Sequence, residues 1–395
     1  MSLRLTRRSA MLGAFAAPAI IHSGWAQDGA IRIGSLTPQT GAGGSYGPSM
    51  VKAIRAVVDE VNGAGGVLGR KIELISEDDE TNPDAGVRAA RKLVDVDKVV
   101  AILGTWASAV TTAVAPTCWE NKVMLFTVSG GDGITRLPHQ GYIIRTQPDS
   151  GLQARRVSGF MLKQGVKKLG ALSAQTPFAK STYDYITAEM KAGGAETTGD
   201  VIYDASKTSF RSEIDTILKT KPEALFLNSY QPDLLVLLRD LYRAGFEGKR
   251  FTLGYAANDK LLAALPAEVT EGLISYAPSP DLTGAAFKKV QSIVGANPDP
   301  YSCQTFDHAN LAILAIAKAG AATGAAIHDA VRAVGNPAGR EVSDVLEGIA
   351  ALKTGEINYS GASGPCKFTD IGDITGCKFR FDVVEKSQNK LIELS

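Results

Sequence analysis

Four cysteines and four histidines in 395 residues leave little material for a metal centre or a disulfide scaffold, and aromatics at 7% leave little for a base-stacking platform. His139, His308 and His328 are scattered, with no CxxC or HExxH spacing among them, so no metal is expected. A charge of one sign is missing as well. Lys plus Arg number 42 against 41 for Asp plus Glu, and no Lys/Arg block appears, which excludes the electrostatic footprint of a nucleic-acid or membrane-surface protein. Past the first turns of the chain, no stretch approaches the ~20 uninterrupted apolar residues that a bilayer span needs. What remains as a partner is a small molecule or another protein.

The beginning differs from the rest. Arg4, Arg7 and Arg8 precede an apolar run from Met11 to Ile21 and small residues at Gly24 and Ala26, the layout of an export signal cleaved near Ala26. The string TRRSAML resembles a twin-arginine signal, although Ala10 stands where that pattern has a bulky apolar residue, and an ordinary secretory signal is the alternative. Export places the mature chain in an oxidising compartment. Cys366 and Cys377 flank the turn-rich TDIGDITG as two strands of a hairpin would, and they are expected to be bonded. Cys118 and Cys303 fall in apolar helical segments and read as small buried hydrophobes.

At 45% apolar content the chain has ordinary globular composition, and it is too long for one compact core. From Ile31 short apolar runs alternate with amphipathic stretches: IRIGSLT, IELISEDD, VVAILG and VMLFTVS, each followed by a helical pattern. After YIIRTQPDS the alternation starts again through KKLGALSA, GDVIYD, ALFLN and RFTLG. The predicted fold class is therefore α/β, two doubly wound parallel-sheet lobes with short crossovers near Arg145, Tyr276 and Gly355 acting as three hinges. The expected division is a signal over 1–26, one lobe from 27–146 plus 281–354, and a second from 147–280 plus 355–395. The period-two alternation after Cys366 predicts antiparallel strands that pad a sheet edge. Two facing α/β lobes present the carboxyl ends of their strands to one cleft, where a shared ligand belongs.

The order and spacing of NGAGGVLGRKIELISEDDETNPD, VVAILGTWASAVTTAVAP, YIIRTQPDSGLQA, ALFLNSYQPDLLVLLRDLYRAGF and GASGPCKFTDIGD resemble type I periplasmic binding proteins of the branched-chain amino-acid and amide class, over essentially all of the mature chain. That resemblance implies a monomeric, periplasmic, non-enzymatic substrate-binding component of an ABC importer. Its partners would be a small-molecule ligand and a permease in the inner membrane, with no cofactor. The ligand would be a branched-chain or hydrophobic amino acid, or an aromatic or aliphatic carboxylate or amide.

Candidate ligand contacts sit in the loops after the strands. Ser108 opens a helix behind Gly104-Thr105-Trp106-Ala107, so its hydroxyl and the helix-start amides suit a carboxylate; a simple N-cap is the alternative. Trp106 is either a cleft wall or a half-buried core ring. Ser129 and Gly130 follow the fourth strand, where missing side chains let backbone approach a ligand, and Gly131 replaces a hydroxyl residue that amino-acid-binding members carry. Tyr46 in the GAGGSYG loop would project toward the cleft, with local packing as the alternative, and Phe178, Tyr230, Tyr255 and Phe306 fall at matching family positions in the other wall, with core packing as theirs. Tyr255 stands where α-amino-acid binders place an acidic side chain against the ammonium group. Unless Asp307 or Asp233 substitutes, the implied ligand lacks an α-ammonium, because burying that cation unpaired costs several kcal/mol.

Two enzyme readings fail on detail. Gly41 to Gly47 puts Tyr46 where a dinucleotide loop needs its third glycine. Ser49-Met50-Val51-Lys52, Ser343-Asp344-Val345 and Lys353-Thr354-Gly355 follow the order of the penicillin-binding serine motifs, but Val345 replaces the needed Asn. Presentation of the same fold to a receptor as a ligand sensor is the other alternative.

Overall fold

The computed structural model describes residues 29–335 and 338–395, so the expected signal peptide lies outside the described residues. The first lobe runs β1 (Ile31–Thr37), α1 (Gly47–Gly63), β2 (Ile72–Asp78), α2 (Pro83–Arg91), β3 (Ala101–Thr105), α3 (Ser108–Glu120), β4 (Met124–Thr127) and β5 (Ile143–Arg145). Its sheet is parallel in the order β2-β1-β3-β4-β5. Because helices cover both faces, the strands read as near-continuous apolar runs: Ala101, Ile102, Leu103, Met124, Leu125 and Phe126 are all fully buried.

The second lobe repeats the plan with α4 (Ser150–Lys163), β6 (Lys168–Ala174), α5 (Pro177–Ala192), β7 (Glu196–Tyr203), α6 (Arg211–Leu218), β8 (Ala224–Asn228), α7 (Gln231–Arg243), β9 (Lys249–Leu253), α8 (Asp259–Ala264), α9 (Ala267–Thr270) and β10 (Leu273–Ser279). The parallel order β7-β6-β8-β9-β10 matches the first lobe strand for strand. The chain then returns to the first lobe through α10 (Ala285–Val294), α11 (Pro300–Ala319), α12 (Gly324–Gly335), β11 (Arg340–Val342), α13 (Val345–Ala351), β12 (Ile357–Gly361) and β13 (Gly364–Pro365). Every residue of α11 from Tyr301 to Ile316 is buried, which makes it the axial helix of that lobe's core. No single described helix is long and apolar enough to cross a membrane.

The closing strands β14 (Lys378–Glu385) and β15 (Gln388–Leu394) are antiparallel and extend the second sheet beyond β10, as the alternation predicted. The last crossing comes later than expected. Tyr359, Cys366, Phe368 and Ile374 belong to the first lobe's core, and Asp373 bridges to Arg145 at the end of β5, so the chain leaves this lobe between Ile374 and Lys378 and not near Gly355. The physical reason is Asp307, a buried carboxylate on α11 that accepts from the Tyr359 hydroxyl (2.8 Å), the amides of Ala362 and Ser363 (2.8 Å each) and the Ser363 hydroxyl. Satisfying that charge requires the 359–363 segment to dock on the first lobe.

The same shift corrects the cysteine expectation. Cys366 and Cys377 are both free thiols: Cys366 is packed in the first lobe's core, whereas Cys377 packs against the Phe160–Phe379 cluster of the second. The two do not form a hairpin pair because the segment between them is the crossing itself.

Helix starts near the cleft are set locally. Asp149 caps α4, Thr176 caps α5 with Pro177 behind it, Asn258 caps α8, and Asp299 caps α11 with Pro300 behind it. Each such cap contributes about 1 kcal/mol and fixes where the following side chains point.

Candidate functional site

Between the lobes lies a narrow pocket of about 30 Å³, lined by Trp106, Ala107, Ser108, Val128 and Gly130 from the first lobe, Gln147 from a crossover, Phe178, Tyr230 and Tyr255 from the second lobe, and Tyr301 from α11. It adjoins a wider chamber of about 820 Å³ on the hinge side, and Gln147, Tyr255 and Tyr301 line both.

Five rings from both lobes meet at Trp106. Its indole stacks on Tyr46 (centroids 5.9 Å apart), lies edge-on to Tyr301 (5.7 Å) and Tyr255 (5.4 Å), and is tilted against Tyr230 (5.5 Å). Trp106 is both things at once: 6% exposed, it belongs to the first lobe's apolar core cluster with Leu36, Ile102 and Val110, and it lines the pocket. The glycine-rich loop after β1 serves this ring: a Cβ on Gly43 would stand 2.7 Å from the indole. Tyr46 also joins the lobes by hydrogen bonds. Its hydroxyl donates to the Tyr255 carbonyl (2.6 Å) and accepts from the Asn258 amide (3.2 Å), and burial pushes its pKa up.

Beneath the rings, the first turn of α3 forms the floor. The Ser108 hydroxyl accepts from the Gly131 amide (3.0 Å) and does not cap the helix, so its work is to tie the loop after β3 to the loop after β4. The helix-start amides of α3 have no intrahelical partner by the geometry of any α-helix, and with the positive end of the helix dipole they suit an anionic or carbonyl oxygen. Gly130 allows the second lobe to approach, since a Cβ there would lie 2.6 Å from Gln153 Nε2 and 2.7 Å from the Phe178 ring.

Two expected contacts are placed elsewhere. Ser129 is fully buried behind the pocket, its hydroxyl donating to the Trp106 carbonyl (2.7 Å) and meeting Thr111 Oγ1 (2.6 Å); it braces the loop and does not line the cavity. Phe306 is fully buried in the first lobe's core under Lys289, whose Nζ lies 6.0 Å from the ring centroid. Five residues separate it from Tyr301, which turns it about 140° around α11, away from the cleft. Tyr301 itself and Gln147 line the pocket without having been singled out in the sequence. The Asp299-Pro300-Tyr301 helix start was the signal for Tyr301, because a capped start fixes the direction of the next side chain.

Among the described residues, none that lines the narrow pocket is a carboxylate. Asp307 is spent on the 359–363 segment, and Asp233 accepts from the Tyr203 hydroxyl (2.6 Å) within the second lobe, burial pushing each up to about 6. Ser49, the serine of the penicillin-binding comparison, donates to the Tyr46 carbonyl (2.8 Å) and to Asp299 (3.0 Å). Among the described residues no group of three or more His, Cys, Asp or Glu side chains is placed to hold a metal ion.

Outside the lining, Arg145 braces the floor from below. Fully buried, it donates to Asp373 through Nε (2.8 Å) and Nη2 (2.6 Å), to the Gly131 carbonyl through Nη1 (2.6 Å), and to Thr135 Oγ1 (3.1 Å). Gly131, the neighbour of Gly130, is thus held through both of its backbone groups, its amide by Ser108 and its carbonyl by Arg145.

Comparison with known proteins adds the following. A family model described as "Periplasmic binding protein" matches residues 30–368. The Leu/Ile/Val-binding protein BraC3 of Rhizobium johnstonii is 29% identical over 220 residues, 54% of this chain and 58% of that protein, so the matched stretch spans little more than half the relative's length. Among solved structures, a leucine-binding protein LivK from Thermotoga maritima superposes with a TM-score of 0.79 at 20% identity, covering 92% of this chain and 98% of that one. A solute-binding protein of an R. palustris ABC transporter, solved with benzoate, gives 0.76 at 20% identity over 93% and 96%.

Proposed function

The chain belongs to the periplasmic binding protein family, and from that premise we propose that it is the exported substrate-binding component of an ABC importer, closing its two lobes on a small organic acid. The observation that carries this reading is the composition of the pocket: a helix start and a glycine loop from one lobe, aromatic rings from both, and no carboxylate. The acid head sits on the α3 amides and Ser108, and the apolar body lies among Trp106, Phe178, Tyr230 and Tyr255. Rings supply large apolar area at low entropic cost, and the fixed amides supply direction.

The lack of a carboxylate among the described lining residues favours one solute class over the other. BraC3 is named for leucine, isoleucine and valine, and the R. palustris protein was solved with benzoate. An α-ammonium brought into this pocket would lie buried without an anion, at a cost of several kcal/mol, whereas a benzoate-like or aliphatic acid meets no such penalty. The solute is an acid without an α-ammonium. Nothing in this mechanism makes or breaks a bond: solute shifts the chain toward the closed form, and the closed form is what an inner-membrane permease reads. Acting as a monomer in the periplasm suffices for that role.

A thermal-shift screen of the mature chain with benzoate, 4-hydroxybenzoate, hexanoate, leucine and isoleucine tests the reading. A bound acid at 100 times its Kd adds about 2.7 kcal/mol to apparent stability. Stabilisation by the amino acids with none by the plain acids would reverse the assignment of class.

A further inference from the structure

The narrow pocket holds about 30 Å³, far below the roughly 300–1,000 Å³ of an ordinary ligand site, while the adjoining chamber holds about 820 Å³. Resting on the function proposed above, we infer that the solute is longer than a plain benzoate or an amino acid, with its acid head in the ring-lined pocket and a neutral, hydroxyl- or amide-rich tail in the hinge-side chamber.

Gln147, Tyr255 and Tyr301 line both cavities, so a molecule that occupies the two lies along these three side chains. The chamber's lining is of another kind. Gln153, Gln291 and Asn389 line the chamber, and each gives an amide hydrogen to a carbonyl of the protein (Pro148, Ala296 and Ala257), which leaves their amide oxygens as acceptors for a ligand's hydroxyl or N–H groups. Charge sets the polarity of the tail. Arg380 is engaged by Asp382 through two bonds of 2.7 Å, and Asp299 is committed to Ser49 and the start of α11. Asp259, also in the lining, is solvent-exposed. Among the described residues no uncommitted cation lines the chamber, so an anionic tail finds no counter-charge there, and the fit is to neutral donors and acceptors.

Calorimetry on the mature chain with three probes tests this: benzoate, 4-(glucosyloxy)benzoate and 4-(carboxymethoxy)benzoate. The expected order is glucosyloxy tighter than plain by about tenfold or more, and carboxymethoxy no tighter than plain. Ala277→Phe, which fills the chamber from β10, removes the advantage of the glucosyl tail and leaves benzoate binding unchanged. Should that strand residue impair folding, Ala296→Trp on the exposed rim blocks the same space. Equal affinity for benzoate and its glucoside, or an advantage that survives both blocking variants, overturns the inference while leaving the proposed function standing. Binding of none of the three probes overturns both.

Discussion

The two lobes carry the same sheet order and the same helix arrangement, yet they present different materials to the cleft. The first lobe offers backbone and short polar groups locked by hydrogen bonds: Ser108 to Gly131, Ser129 to the Trp106 carbonyl, and Arg145 to Gly131, Thr135 and Asp373. The second offers only rings, Phe178, Tyr230 and Tyr255, partly exposed on helix starts and a strand end, which close on the first lobe's buried Trp106 and Tyr301. The lesson is a division of labour. Direction for a polar head needs donors held within fractions of an ångström, whereas grip on an apolar body needs area and tolerates adjustment. Changes behind the first lobe's face should therefore cost fold stability, and changes at the second lobe's rings should fall mainly on affinity.

The largest test of that asymmetry is Arg145→Met. It leaves Asp373 without its buried partner and strips the Gly131 carbonyl of its donor, which should lower the unfolding free energy by about 3–5 kcal/mol in urea titrations. Tyr230→Phe on the opposite face should change it by less than about 0.5 kcal/mol. Comparable losses from the two variants would erase the distinction between the faces.

A second test uses pH. Asp79, fully buried in the first lobe, accepts from the Thr81 amide (2.8 Å) on one oxygen and has no partner on the other. Burial, and then the neighbouring Asp78 and Glu80, push its carboxyl up to about 7. A folded-state pKa raised above the unfolded value means that the folded chain holds the proton longer. The stabilising contribution is complete below about pH 4 and is lost as pH rises through about 7, at roughly 1.4 kcal/mol per unit as an upper limit. Asp79→Asn should remove that part of the slope, so its denaturation midpoint should gain on the parent from pH 4 to 7. Parallel curves would show that Asp79 does not titrate in this window.

At the ring face, Trp106→Ala should weaken binding of the acid by at least ~1 kcal/mol, about fivefold, through lost contact with Tyr46, Tyr230, Tyr255 and Tyr301. An unchanged dissociation constant would remove the indole from the binding surface.

Those contrasts also show how much of the molecule is written in its sequence. Both lobes are legible because parallel strands covered on two faces must be apolar throughout, so runs such as VVAILG and ALFLN announce themselves. The candidate site is legible where a residue follows a strand directly, as with Trp106, Ser108, Gly130, Tyr230 and Tyr255. It is not legible where a helix decides the direction. Tyr301 and Phe306 lie five residues apart on α11, one lining the cleft and the other in the core, and only the phase of that helix separates them. Asp307 illustrates the same limit, because its partners lie more than fifty residues away, and spacing carries no trace of a docking that moves the last crossover and parts Cys366 from Cys377.

The smallest effect, and the sharpest, belongs to the contact that crosses between the faces. Tyr46→Phe keeps the ring against Trp106 and deletes the hydroxyl that donates to the Tyr255 carbonyl and accepts from Asn258. Both partners sit on the opposite lobe, so the loss of about 0.5–1.5 kcal/mol should fall on closure and leave folding untouched. Affinity should drop by a factor of about 2–10, mainly through faster release, with the urea midpoint unchanged. Tyr255→Phe is the control, because the acceptor is a backbone carbonyl that this substitution retains. If Tyr46→Phe instead lowered stability and spared affinity, the bond would be part of a lobe's fold, and the two faces would not be separable by chemistry.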